Sequence, residues 1–198
     1  MAFLEPLPQQ THPELADTFA TFERILGFVP NSLLTMQRKP GIVEGFGALT
    51  RAVMAPDGKV ELGFKRLVAH LCSRAAGCQY CMAHSLIAAK IHGVSDEKVE
   101  RIWEYRTSPL YSEAERAALD YALAAGSVPN GVDAETYARL RVHWDEEQIV
   151  EILAVVCLYG FLNRWNDSMA TALEGPPREL GDAVLRPGGW TGGKHVEG

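Results

Sequence analysis

Leu67-Val68-Ala69-His70-Leu71-Cys72-Ser73-Arg74-Ala75-Ala76-Gly77-Cys78-Gln79-Tyr80-Cys81-Met82-Ala83-His84 is the stretch on which the reading of this chain turns. An apolar helical pattern runs to Ala76, Gly77 ends it, and two thiols spaced i, i+3 open the next helix. One turn brings the Cβ atoms of such a pair to about 5–6 Å. Cα separations of roughly 4.4–6.8 Å suit a disulfide, so a modest local adjustment lets the sulfurs bond. His84 stands one turn beyond Cys81. These are the parts of a dithiol redox centre, and the same parts can hold a metal.

Outward from this stretch, helical periodicity dominates and no alternating strand is evident, which predicts an all-α fold in a single domain. Residues 1–13 hold three prolines and read as an extended arm. Helices are expected over 14–26, 42–54 and 60–76, with a short one capped by Asn31 or Ser32. The cysteine helix is expected to run to about His92, with Gly93 as its C-cap. Ser95 starts a helix through about Tyr105, and Ser112-x-x-Glu115 is a capping box for one reaching Ala125. Asp133 caps a short segment. Asp145-x-x-Gln148 opens a long apolar helix to about Leu173, which completes a helical core over 14–174. The Gly- and Pro-rich tail over 175–198 reads as mobile or docked on a neighbouring subunit.

Composition narrows the classes. The chain has 198 residues, 47% hydrophobic and 22% charged, which suffices for a real core. A net charge of −6 argues against nucleic acid or an anionic membrane as partner, since both need a basic face. Met1-Ala-Phe-Leu-Glu-Pro lacks the basic region and apolar core of a signal peptide. The longest uninterrupted apolar run, Ile152 to Leu162, falls short of the roughly 20 residues of a membrane span. A cytoplasmic location is therefore expected. In that compartment four cysteines do not read as a stapling framework, and a CxxC points to redox or metal chemistry.

A thiolate is the nucleophile, and helix N-termini, CxxC pairing and imidazoles all lower a thiol pKa. Cys78 in the first turn of its helix is favoured as the more acidic thiol. His84 reaches Cys81 more easily than Cys78, and is placed to accept a thiol proton and return it to a leaving oxygen. One cysteine becomes a sulfenic acid, the other attacks it, and an external reductant reopens the disulfide. The rival is a structural zinc site of Cys72, Cys78, Cys81 and His84. Zinc wants four ligands in tetrahedral array, and Cys72 belongs to the preceding helix, so no metal and no cofactor is assigned.

Cys72 and Cys157 sit in apolar stretches and read as small core residues. His70 and His92 read as ordinary helix histidines, and Tyr80 as a candidate wall of the thiol pocket. Asn163-Arg164-Trp165-Asn166-Asp167 interrupts an apolar helix with polar groups. Asn163, Arg164 and Asp167 are expected to form a hydrogen-bonded network near that pocket, because a buried Arg needs partners. A weak repeat at an offset of 85 residues lays Leu67–Cys72 over Ile152–Cys157, Cys78 over Asn163 and Cys81 over Asn166.

The chain resembles the carboxymuconolactone decarboxylase-like superfamily, on its alkylhydroperoxidase D-like branch, over roughly residues 25–173. The resemblance rests on Leu67-Val68-Ala69 with Ala76 to His84, on Gly27-Phe28-Val29-Pro30-Asn31, on Glu115 to Ala122, and on Phe161 to Asp167. It implies a bundle of paired helices that forms homo-oligomers. It also implies hydroperoxide reduction, with Cys81 attacking, Cys78 resolving, and a thiol or lipoyl-type reductant. Two departures stand out. The superfamily's relay Glu, twelve residues before the first cysteine, is here Arg66, and the His comes three rather than four residues after Cys81. Glu61 and Glu151 are the nearest substitutes. A different oxidised substrate is thus an alternative to peroxide, and a lactone decarboxylase-like enzyme of the same fold is another.

Overall fold

The structure, a computed structural model, describes residues 2–196. It contains ten α-helices and no strand among the described residues. They are α1 (Ala16–Leu26), α2 (Asn31–Met36), α3 (Pro40–Val53), α4 (Leu62–Ala76) and α5 (Gln79–Ile91). They continue with α6 (Asp96–Glu100), α7 (Glu113–Gly126), α8 (Ala134–His143), α9 (Glu146–Met169) and α10 (Gly175–Leu180). The all-α expectation holds.

α4 is the central element, and α5, α7 and α9 pack around it. Its residues Leu67, Val68, Ala69, Leu71 and Cys72 are almost fully buried. Each buried leucine there is worth about 1.5–3 kcal/mol. α4 also buries Lys65, whose Nζ donates to Val53 O at 2.9 Å and lies 2.8 Å from Glu151 Oε2. Glu151 in turn accepts the amides of Lys59 and Val60. A buried cation is tolerable because the fold surrounds it with acceptors. Glu151 is thereby committed to Lys65 and cannot take the place of a relay carboxylate at the thiols.

The expected caps are present. Ser112 with Glu115, and Asp145 with Gln148, form reciprocal capping boxes at α7 and α9. Gly77 ends α4 at φ +74°, in the left-handed region that suits glycine. At the matching position of the 85-residue offset stands Leu162, and α9 runs through it unbroken. The repeat therefore does not reproduce the two-helix break. α6 stops at Glu100 rather than near Tyr105. There the Trp103 indole donates to Glu100 O and the Tyr111 hydroxyl to Lys98 O, so side chains occupy the carbonyls of its last turn.

One expectation is corrected. The tail does not stand free, since it folds back over α5. α10 and the turns over 181–195 bury Val184, Leu185, Trp190 and His195, and the Trp190 indole donates to Gln79 O at 3.0 Å. Hydrophobic burial outweighs the flexibility that its glycines and prolines suggest. α9 is long and apolar enough to cross a membrane by length and composition alone, with an 18-residue stretch of mean hydropathy 1.2, a test that the core helix of a helical bundle also passes. In the structure it packs on α3, α4, α5 and α7.

Candidate active site at the cysteine helix

Cys78 is the N-cap of α5, and its Sγ accepts the Cys81 amide at 3.5 Å. Both cysteines are buried and unbonded. The Cys81 sulfur accepts a hydrogen bond from Asn166 Nδ2 at 3.4 Å. Burial pushes the Cys81 thiol well above its ordinary range, Cys78 beside it pushes the same way, and the Asn166 amide works against both. Cys81 therefore rests as a thiol and needs a proton acceptor before it can attack.

The polar cluster that shares the cavity wall with Cys81 is built from two distant parts of the chain. His84 Nε2 lies 2.6 Å from Glu174 Oε2. The imidazole stacks on the Tyr80 ring at 4.2 Å between centroids and meets the edge of Phe28. Tyr80 donates its hydroxyl to Glu174 Oε1 at 2.8 Å, and the Asn31 amide donates to the same oxygen at 2.5 Å. Burial raises the Glu174 carboxyl, but the His84 charge and the hydrogen bonds from His84 and Asn31 overcome it and hold the pKa below the ordinary value. Glu174 is the carboxylate that the sequence reading did not find. Nothing near the thiols in sequence marks it, and the only hint is its position just before Gly175-Pro176-Pro177.

A cavity of about 70 Å³ opens between α1, α3, α4, α5 and α9. Cys81, His84, Tyr80, Arg66, Tyr159 and Asn166 supply its polar wall, and Phe22, Leu26, Leu33 and Phe46 much of its apolar one. Cys78 does not line it. Cys81 is thus the thiol that faces the cavity, whereas the dipole argument singled out Cys78.

The fold that carries this site is also found in known proteins. The family model for the Carboxymuconolactone decarboxylase family matches residues 40–124. The debrominase Bmp8 has a crystal structure with TM-score 0.86 and 37% identity, covering 91% of this chain and 97% of that one. The chain belongs to the carboxymuconolactone decarboxylase family. A variant of Bmp8 in complex with 2,3,4-tribromopyrrole superposes with TM-score 0.87 at 36% identity, covering 91% and 96% of the two chains. A peroxidase-related protein from Ralstonia eutropha JMP134, described as an alkylhydroperoxidase AhpD core, shares the fold at TM-score 0.76 and 23% identity over 87% of this chain and 92% of its own. Protein YnjA of Escherichia coli (strain K12) is 32% identical over 98 residues, or 50% of this chain and 54% of its own length. The chain thus spans about half the length of that curated relative.

Among the residues expected in this family member's site, Cys78, Cys81, His84 and Tyr80 come together. Asn163, Arg164 and Asp167 do not join them. Asn163 Nδ2 donates to Cys72 Sγ at 3.7 Å, Arg164 is exposed, and Asp167 lies 3.1 Å from Lys194 Nζ. All three line a second cavity of about 650 Å³ on the other side of α4, together with Cys72 and Cys157. Helical phase sorts the segment. At ~100° per residue, Tyr159, Leu162 and Asn166 share one face, Arg164 and Asp167 are turned furthest from it, and Asn163 lies between the two sets, against Cys72 of α4. Asn166 is the residue of that segment that reaches a site thiol. Cys72 is nearly buried, its thiol pushed up to about 12 mainly by burial, whereas Cys157 is exposed rather than in the core. No group of three or more His, Cys, Asp or Glu side chains is arranged to hold a metal among the described residues.

Proposed function

We propose that the protein is a dithiol-dependent reductase in which Cys81 takes a heteroatom from a small soft electrophile and Cys78 displaces it. The observation that carries this reading is that Cys81 faces a largely apolar cavity while the Cys78 sulfur sits against its amide. His84, backed by Glu174, accepts the Cys81 proton. The sulfur attacks the heteroatom X of R–X, and the bonding pair leaves with R, which is protonated to R–H by the imidazolium. Cys78, giving its proton to the again neutral imidazole, then attacks Cys81 Sγ, expelling X as its anion and closing the disulfide. A small thiol or a lipoyl-type dithiol supplies the two electrons that reopen it.

The leading substrate class is a halogenated aromatic ring, so that X leaves as halide. Its support is the 36–37% identity with the debrominase Bmp8 over 91% of this chain, together with the aromatic wall of Phe22, Phe46 and Tyr80. At about 70 Å³ the cavity is smaller than the roughly 150 Å³ that admits benzene. Ring entry therefore requires Phe22 and Leu26, both only partly buried, to swing aside. A second reading, hydroperoxide reduction with water or an alcohol as product, is favoured by that same small volume.

The test is anaerobic incubation of the reduced protein with a bromopyrrole or, separately, with a hydroperoxide. One halide released per Cys78–Cys81 crosslink, mapped by mass spectrometry, supports dehalogenation. Peroxide loss with the same crosslink and no halide supports the second reading. Absence of the crosslink with either substrate removes the reductase assignment altogether.

A further inference from the structure

Among the described residues, Arg66 is a cation without a counter-ion in the wall of the Cys81 cavity. One of its terminal nitrogens donates to the Tyr159 hydroxyl at 3.2 Å, and its Nε is buried with no hydrogen-bond partner. No Asp or Glu lines the cavity, and Arg66 makes no ion pair among the described residues. The contrast lies one residue earlier. Lys65, on the other side of α4, is given both a carboxylate and a carbonyl. Two more buried polar atoms at the same cavity lack partners, Asn166 Oδ1 and Thr50 Oγ1. Arg66 is only partly buried, but its Nε is enclosed at the cavity, where polar atoms are normally satisfied. The cavity wall is therefore complementary to something that supplies acceptors to Arg66.

We propose that Arg66 is the recognition group for an anionic oxygen or nitrogen on the substrate. The ligand class of this pocket is then a small halogenated ring bearing an acidic group, such as a phenolate, a carboxylate or a deprotonated azole, in preference to its neutral analogue. The inference rests on the halogenated-ring reading above and names the chemistry that reading leaves open. A guanidinium suits the role because it presents a planar fork of donors to an anion while its face stacks on an aromatic ring. At a partly buried site the charge attraction is also less screened than at the open surface. The apolar walls hold the ring, and Arg66 sets which edge of it points away from the sulfur.

Binding to Cys81→Ser protein separates recognition from turnover and removes any thiolate on which Arg66 might act instead. The probes are 2,4,6-tribromophenol at a pH where it is ionised, and its neutral methyl ether, measured by calorimetry. We expect the phenolate to bind at least roughly 10-fold more tightly, the scale of one charge-assisted hydrogen bond. Arg66→Met in the same background abolishes the preference, and Arg66→Lys keeps part of it. Lowering the pH until the phenol is neutral erases the preference without any Arg66 variant, which serves if Arg66→Met fails to fold. Equal affinities at high pH, a preference that survives Arg66→Met in folded protein, or no binding of the phenolate would each overturn the inference. Halide release by the unaltered protein reports separately. Phenolate binding through Arg66 with no halide released sinks the dehalogenase reading alone. Equal halide release from phenol and ether sinks the Arg66 inference alone.

Discussion

His84 Nε2 meets Glu174 Oε2 at 2.6 Å across ninety residues of chain, and that contact joins the cysteine helix to the returning tail. In the proposed mechanism the carboxylate fixes the imidazole and compensates its charge when it takes a proton from Cys81. Glu174→Gln should keep the fold, since a side-chain amide oxygen still accepts from Asn31 or Tyr80. It should lower kcat by about 100-fold, within the range of general acid–base contributions, with KM little changed. Steady-state kinetics with either substrate class checks this, and an unchanged kcat would remove Glu174 from the proton path.

The same carboxyl makes a pH prediction. Its folded-state pKa lies below the ordinary 4.5, so its contribution to stability is present above that value and is lost as pH falls through the lowered one. Denaturant midpoints measured from pH 6 downward should fall more steeply for the natural protein than for Glu174→Gln. Parallel curves would show that the carboxylate is not linked to folding.

The four cysteines should separate cleanly by role. Cys81→Ser abolishes turnover. Cys78→Ser permits at most one turnover and leaves an oxidised Cys81 that mass spectrometry can read. Cys72→Ser and Cys157→Ser leave turnover near its starting value, because neither lines the cavity at Cys81. Turnover by Cys81→Ser would contradict the assignment of the attacking sulfur.

Much of this architecture was legible in the sequence because its signals are local. Gly77, the Ser112 and Asp145 capping boxes and the apolar phase of α4 each act within a turn or two, and the structure places them as expected. Glu174 was illegible for the opposite reason, since it reaches His84 only after the whole bundle has formed and the chain has reversed. Asn163 and Asn166 show the same limit on a smaller scale. Both are polar residues in one helix, and only the phase of α9 against α5 decides that Asn166 meets Cys81. The tail misled because composition reports flexibility of the free chain and not the apolar surface that Trp190 and Leu185 find on docking.

His70 supplies a second acid-sensitive point, remote from the cavity. It is wholly buried between α4 and α5, where its Nδ1 lies 3.1 Å from Met82 O, and burial lowers its pKa from 6.5 to about 4. Between these values the unfolded chain binds the proton and the folded one does not, so stability falls as pH drops below 6.5. The loss from pH 7 to pH 5 should be about 2 kcal/mol. His70→Asn, which keeps a donor for Met82 O, should be less stable at pH 7 and yet lose less on acidification. Identical pH slopes would discard the idea.

Gly126, at the end of α7, is pressed against α4. A Cβ there would lie 2.9 Å from both the Cα and the carbonyl oxygen of Cys72, which are backbone atoms that cannot move aside. Gly126→Ala should therefore destabilise the protein by about 1–3 kcal/mol through overpacking. Thermal melting would show this as a fall of several degrees. An unchanged melting point would mean that α7 can slide on α4 without penalty.

The return of the chain over α5, where Leu173 N donates to His195 O and Trp190 to Gln79 O, has a consequence for biosynthesis. Translation delivers the CxxC and His84 ninety residues before Glu174. Until the final segment emerges, both sulfurs belong to a nascent chain with no lid and no carboxylate. Ribosome-bound chains halted before Thr171 should thus be readily alkylated at Cys78 and Cys81, and the released protein should resist.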